Sequence, residues 1–169
     1  MRRFRSFVCV LLGVAAVLSL TACSKPERVT GGTWTVETPA GWTSKPAVAK
    51  KGGTVDFVFT RVRSSAPATL TVVLVPGHRS DTDLLRRLNK SVAKRDQRQV
   101  SQTSIGPYTG YQWKSLTGSE TAYQFFGTSP GTSAVILLDS ASGDGKDYDV
   151  KMLTKVLSTI ETATPAAKK

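Results

Sequence analysis

The spacing of apolar residues changes period along this chain, and that change limits the possible folds more than any other feature. Val55-Asp-Phe-Val-Phe-Thr-Arg-Val62 puts Val55, Phe57, Phe59 and Arg61 on one face. This is the two-residue period of a half-buried strand with its charge at the end. Ala68 to Val75 is denser in β-branched residues and reads as a central strand, stopped by Pro76-Gly77. The period then lengthens. Leu84, Leu85, Leu88 and Val92 recur at helical spacing behind Ser80-Asp-Thr-Asp83, which offers an N-cap and first-turn carboxylates. The spacing predicts an amphipathic helix over roughly 81–96, with its leucines on a sheet.

The flanking segments are read in the same way. Trp34 to Thr38 alternates and closes at Pro39-Ala-Gly41, and Trp42 restarts the strand briefly. Val100 to Ile105 is a strand broken by Gly106-Pro107. In the next strand Thr109, Tyr111 and Trp113 share an aromatic face. Glu120 to Gly127 and Ser133 to Asp139 are strands joined by the turn Ser129-Pro130-Gly131. A last helix opens at Asp147 or Tyr148, with Val150, Leu153, Val156, Leu157 and Ile160 on one stripe, and ends near Thr162. The order β-β-β-α-β-β-β-β-α predicts an α+β domain, a single antiparallel sheet with packed helices.

Before this domain stands MRRFRSFVCVLLGVAAVLSL. Arg2, Arg3 and Arg5 precede an apolar run from Phe7 to Leu20 that is shorter than the roughly 20 residues a bilayer span needs, as in a secretory signal. Leu20-Thr21-Ala22-Cys23 resembles the lipobox of bacterial lipoproteins. The resemblance implies a diacylglyceryl thioether on Cys23 and cleavage after Ala22. Two acyl chains hold a protein durably at a membrane, whereas one does so marginally. The competing readings are an ordinary secretory signal with an incidental cysteine, or a short uncleaved anchor. Cys9 leaves with the signal, so no thiol remains for a disulfide. The expected organisation is signal peptide 1–22, tether 23–32, domain 33–162 and flexible tail 163–169.

The net charge of +11 includes the three signal arginines, and the rest of the chain stays basic. Such a balance suggests nucleic acid in a cytoplasmic chain. In an exported, lipid-anchored one the counter-charges are anionic head groups or acidic wall polymers, and no nucleic-acid partner is expected. The alternative is that the charge serves solubility alone. Its densest patch is the predicted helix face of Arg86, Arg87, Lys90 and Lys94. That face is either a solvated surface or a contact for an anionic partner.

The element order, T-P-A-G-W (Thr38 to Trp42) and the closing amphipathic helix together resemble the PsbP-like fold and its LpqN-type lipoproteins. The resemblance spans most of 33–162. It implies a PsbP-like α/β sandwich and a non-catalytic accessory or binding role, and it transfers no site residue.

Three constellations invite chemistry. Ser80, His78 and Asp81 hold the residue types of a hydrolytic triad, but adjacent residues of one turn seldom converge, and an N-cap explains them. Asp144, Asp147 and Asp149 lack the spacing of a calcium loop. One histidine and no free thiol do not make a zinc site, and the glycine-containing turns lack the P-loop pattern. No catalytic, cofactor or metal residue is assigned. Trp34, Trp42 and Trp113 are either core packing or the wall of a pocket. The sequence thus predicts a lipid-anchored, monomeric module on the extracytoplasmic face of the cell membrane, binding an envelope protein or a lipid or glycan ligand. The alternatives are an envelope hydrolase or transferase with an unrecognised active site, or a passive structural component.

Overall fold

The computed structural model describes residues 26–62, 67–117, 120–140 and 148–162. Cys23, Asp144 and Asp147 lie outside them. The class is α+β and mostly antiparallel sheet. The strands are β1 (Arg28–Gly31), β2 (Trp34–Glu37), β3 (Thr43–Ser44), β4 (Val48–Ala49), β5 (Val55–Val62), β6 (Pro67–Pro76), β7 (Ser101–Ile105), β8 (Tyr108–Thr117), β9 (Glu120–Ser129), β10 (Thr132–Ser140) and β11 (Glu161–Thr162). The helices are α1 (Asp81–Ser91) and α2 (Val150–Ser158).

The large sheet runs β3-β5-β6-β10-β9-β8-β7, with β4 also on β5. β6 is central, as its composition predicts. The alternation of β5 holds: Val55, Phe57 and Phe59 are buried, and Arg61 follows on the same face. Those residues meet Leu70, Val72 and Leu74 of β6, which meet Leu138, Ile136 and Ala134 of β10. One face of the sheet is therefore a continuous apolar floor. It is closed by α2 and by a second sheet of three strands, β1-β2-β11. The expected single sheet is thus two sheets. Arg28–Gly31, inside the stretch read as tether, pairs with β2, and Glu161–Thr162, read as the end of the last helix, pairs with its other edge.

Both helices were expected against the sheet, and they lie on opposite faces of it. Phe125 belongs to the floor under α2, while its neighbour Phe126 joins Leu84, Leu88 and Val92 under α1. Tyr111 and Trp113 pack against this second cluster, as their shared face predicts. α1 also ends earlier than its periodicity suggests. Val92 and Ala93 are extended, and a 3-10 turn, Lys94–Gln99, follows. Leu88 O keeps its helical donor, Val92 N–H at 3.0 Å, with Ser91 Oγ as a second at 2.8 Å, and Asn89 O accepts from Gln97 Nε2 at 2.7 Å. At Asn89 a side chain thereby does what another helical turn would have done.

Candidate functional site

A cleft of about 600 Å³ opens where β2, the Thr38–Trp42 turn and α2 meet. Each wall has a local cause. Trp42 N–H donates to Pro39 O at 3.0 Å, closing a tight turn in which Gly41 stands at φ +78°. Glycine, third in that turn, accepts the left-handed backbone that other residues resist. Thr38 N–H donates to Glu27 O at 2.8 Å, so the chain entering β1 forms the rim.

α2 begins at Asp149, whose carboxylate accepts from Lys151 N–H at 2.8 Å. It ends where Thr159 Oγ1 donates to Val156 O at 2.8 Å and accepts from Glu37 N–H at 3.1 Å, which ties the helix to β2. Two further contacts set its position. Tyr148, just before the N-cap, leans on Tyr123 with ring centroids 4.8 Å apart. Gly106, in the β7–β8 turn, lies so close that a Cβ there would stand 3.0 Å from Ser158 Oγ.

The apolar lining comes from Pro39, Trp42, Met152 and Val156. The charged lining comes from Glu27, Glu37, Arg61, Asp149, Lys151 and Lys155. The acids are engaged. Glu37 pairs with Arg28 at 3.1 Å, and Arg28 reaches Glu161 at 3.0 Å. The hydrogen bond to Glu37, then the charge of Glu161, raises the pKa of Arg28 above its ordinary value. Glu27 accepts from Ser44 Oγ at 2.8 Å. Lys151 and Lys155 are exposed and have no partner among the described residues. Thr38 Oγ1 in the lining and Trp34 Nε1 on β2 are buried with no hydrogen-bond partner among the described residues. Apolar surface beside charges of both signs suits the binding of an amphipathic group.

The structure does not assemble the basic face of Arg86, Arg87, Lys90 and Lys94 as predicted. Arg86, Arg87 and Lys90 are exposed on α1, but Lys94 falls beyond the helix, in the 3-10 turn. Arg86 is paired with Asp83. The periodicity carried to Lys94 because nothing in Ser91-Val92-Ala93 is a strong local stop; the helix stops where the Gln97 side chain takes the Asn89 carbonyl.

Ser80 is the N-cap of α1, its Oγ accepting from Asp83 N–H at 3.2 Å. His78 turns to Thr128 instead, with Nδ1 3.1 Å from Thr128 Oγ1. The histidine, serine and aspartate of that turn therefore do not converge. Asp149 serves as a helix cap. Trp34 and Trp42 lie in the main core and Trp113 on the α1 side, so Trp42 alone of the three lines the cleft. The sequence reading missed Lys151 and Lys155; their four-residue spacing on the polar side of the last helix was the available signal.

No family model matches the chain, and no curated protein matches it. A crystal structure from Bacteroides thetaiotaomicron VPI-5482 is similar at 14% identity and a TM-score of 0.48. The match covers 83% of this chain and 49% of that one, so the chain spans about half the length of that protein.

Proposed function

We propose that this chain is a bacterial lipoprotein, held on the extracytoplasmic face of the cell membrane through lipidated Cys23. Its PsbP-like domain acts there as a non-catalytic binding or accessory module. The observation that carries the reading is Leu20-Thr-Ala-Cys23 at the end of the apolar run Phe7–Leu20. Small residues at 21 and 22 let the backbone enter a peptidase cleft, and a thiol at that point lies where membrane lipid can reach it. The binding role draws support from the cleft beside Trp42, which has the size of small-molecule sites and mixes apolar with charged groups.

Detergent-phase partitioning tests the anchor. Wild-type protein is expected in the detergent phase. Cys23→Ala is expected as unprocessed precursor or as released soluble protein. Processed variant that stays in the detergent phase would refute the reading.

A further inference from the structure

The rim of the cleft and the attachment point are close along the chain. Pro26 and Glu27 line the cleft, and Cys23 precedes Pro26 by three residues. Three extended residues span at most about 10–11 Å. A lipidated Cys23 therefore holds the cleft rim near the bilayer surface, at a distance close to the Debye length of about 8 Å at physiological salt. α1 and its arginines lie on the other face of the large sheet.

The charges of the cleft are unevenly committed. Arg28 holds Glu37, the Ser44 hydroxyl donates to Glu27, and Asp149 caps α2. Glu27 and Asp149 hold these hydrogen bonds without a cation, whereas the ammonium groups of Lys151 and Lys155 have neither a hydrogen bond nor an ion pair among the described residues. Standing four apart on a helix, the two lysines share a face, and like charges so placed destabilise the helix. An anion between them reverses that repulsion. Beside them Met152, Trp42 and Pro39 offer apolar surface. A compact negative group joined to an apolar body matches this arrangement.

We propose that the cleft seats the head group of an anionic membrane phospholipid, with its phosphate between Lys151 and Lys155 and its glycerol end against Trp42 and Met152. The proposal rests on the anchor at Cys23. Docked in this way, the domain lies with the α2 end against the bilayer and turns α1 away from it.

The test is hydrogen–deuterium exchange on the full lipidated protein. It is compared in neutral detergent, in phosphatidylcholine vesicles and in vesicles that also contain phosphatidylglycerol. Amides of α2 and of the Thr38–Trp42 turn should exchange more slowly in the phosphatidylglycerol vesicles. The expected slowing is roughly thirtyfold, the change expected of two cations near an anionic surface. High salt and the double variant Lys151→Gln/Lys155→Gln should abolish it. Both lysines are exposed, so the variant should keep the wild-type circular dichroism spectrum. Equal exchange in vesicles and detergent, protection that survives in the variant, or protection of α1 instead would overturn the docking. Protein that fails to attach to any vesicle would overturn the anchor first, a different result from attached protein with an unprotected cleft.

Discussion

Thr38 shows how a legible turn can hide an illegible burial. Its place before Pro-Ala-Gly marks a turn from local chemistry alone, and the turn is there. Its hydroxyl is buried with no hydrogen-bond partner among the described residues, and the strands and helix that bury it come from distant parts of the chain. Such a hydroxyl costs about 1–3 kcal/mol. Thr38→Val keeps the shape and removes the cost, so it should raise the unfolding free energy in urea by up to about that amount. A loss of stability would show that the hydroxyl is bonded in solution. The tyrosines give a second prediction. Burial pushes the Tyr123 phenol well above its ordinary pKa, with the charge of Tyr148 adding to it, and burial raises Tyr108 and Tyr148 too. The unfolded chain ionises its tyrosines near pH 10, while the folded chain keeps these protons to higher pH. The folded state then binds more protons, so this contribution is complete below about pH 10 and is lost as pH rises beyond it. Urea midpoints measured upward from that pH should fall. Midpoints that hold constant would contradict the assigned burial.

At the scale of elements, what could be read depended on whether the signal was local. β5 carries its apolar residues in the two-residue period, β6 and β10 carry denser apolar runs, and all three pair on both edges within the large sheet. The starts of both helices follow from local capping chemistry, although α2 begins slightly later than its stripe suggests. Their ends do not follow from it. α1 stops where the Gln97 side chain takes the Asn89 carbonyl, and α2 stops at Thr159, whose hydroxyl turns back on Val156. β1 and β11 are short and polar, and they become strands by pairing with β2. Nothing in Arg-Val-Thr-Gly or Glu-Thr announces a partner that far away. The cleft was half legible for the same reason: its turn is local, but its lysines face the turn only once α2 is docked. Two substitutions probe the α1 assignment. Ser80→Ala should cost about 0.5–2 kcal/mol through loss of the cap. Leu88→Ala, at a fully buried position against β8 and β9, should cost about 2–5 kcal/mol. Chemical denaturation reads both, and a Leu88 variant as stable as wild type would mean that the helix faces the other way.

As a whole molecule, the protein is a large twisted sheet with different things on its two faces. α2 and the three-stranded sheet close one face over the main core, and α1 covers part of the other. The small sheet brings both ends of the described chain together, since β1 and β11 flank β2 and Arg28 reaches Glu37 and Glu161. If Cys23 is lipidated as proposed, the end that carries the anchor is also the end that carries the cleft, which Pro26 and Glu27 line. On the proposed reading, a protein anchored this way presents a fixed face to the membrane, and the proposed binding role rests on that placement. Everything in this account depends on where the mature chain begins and what it carries there. The most direct measurement is mass spectrometry of the N-terminal peptide from protein purified out of bacterial membranes. The account predicts a mature chain that starts at Cys23 and carries a diacylglyceryl group on its sulfur. A terminus elsewhere, with Cys23 unmodified, would contradict it.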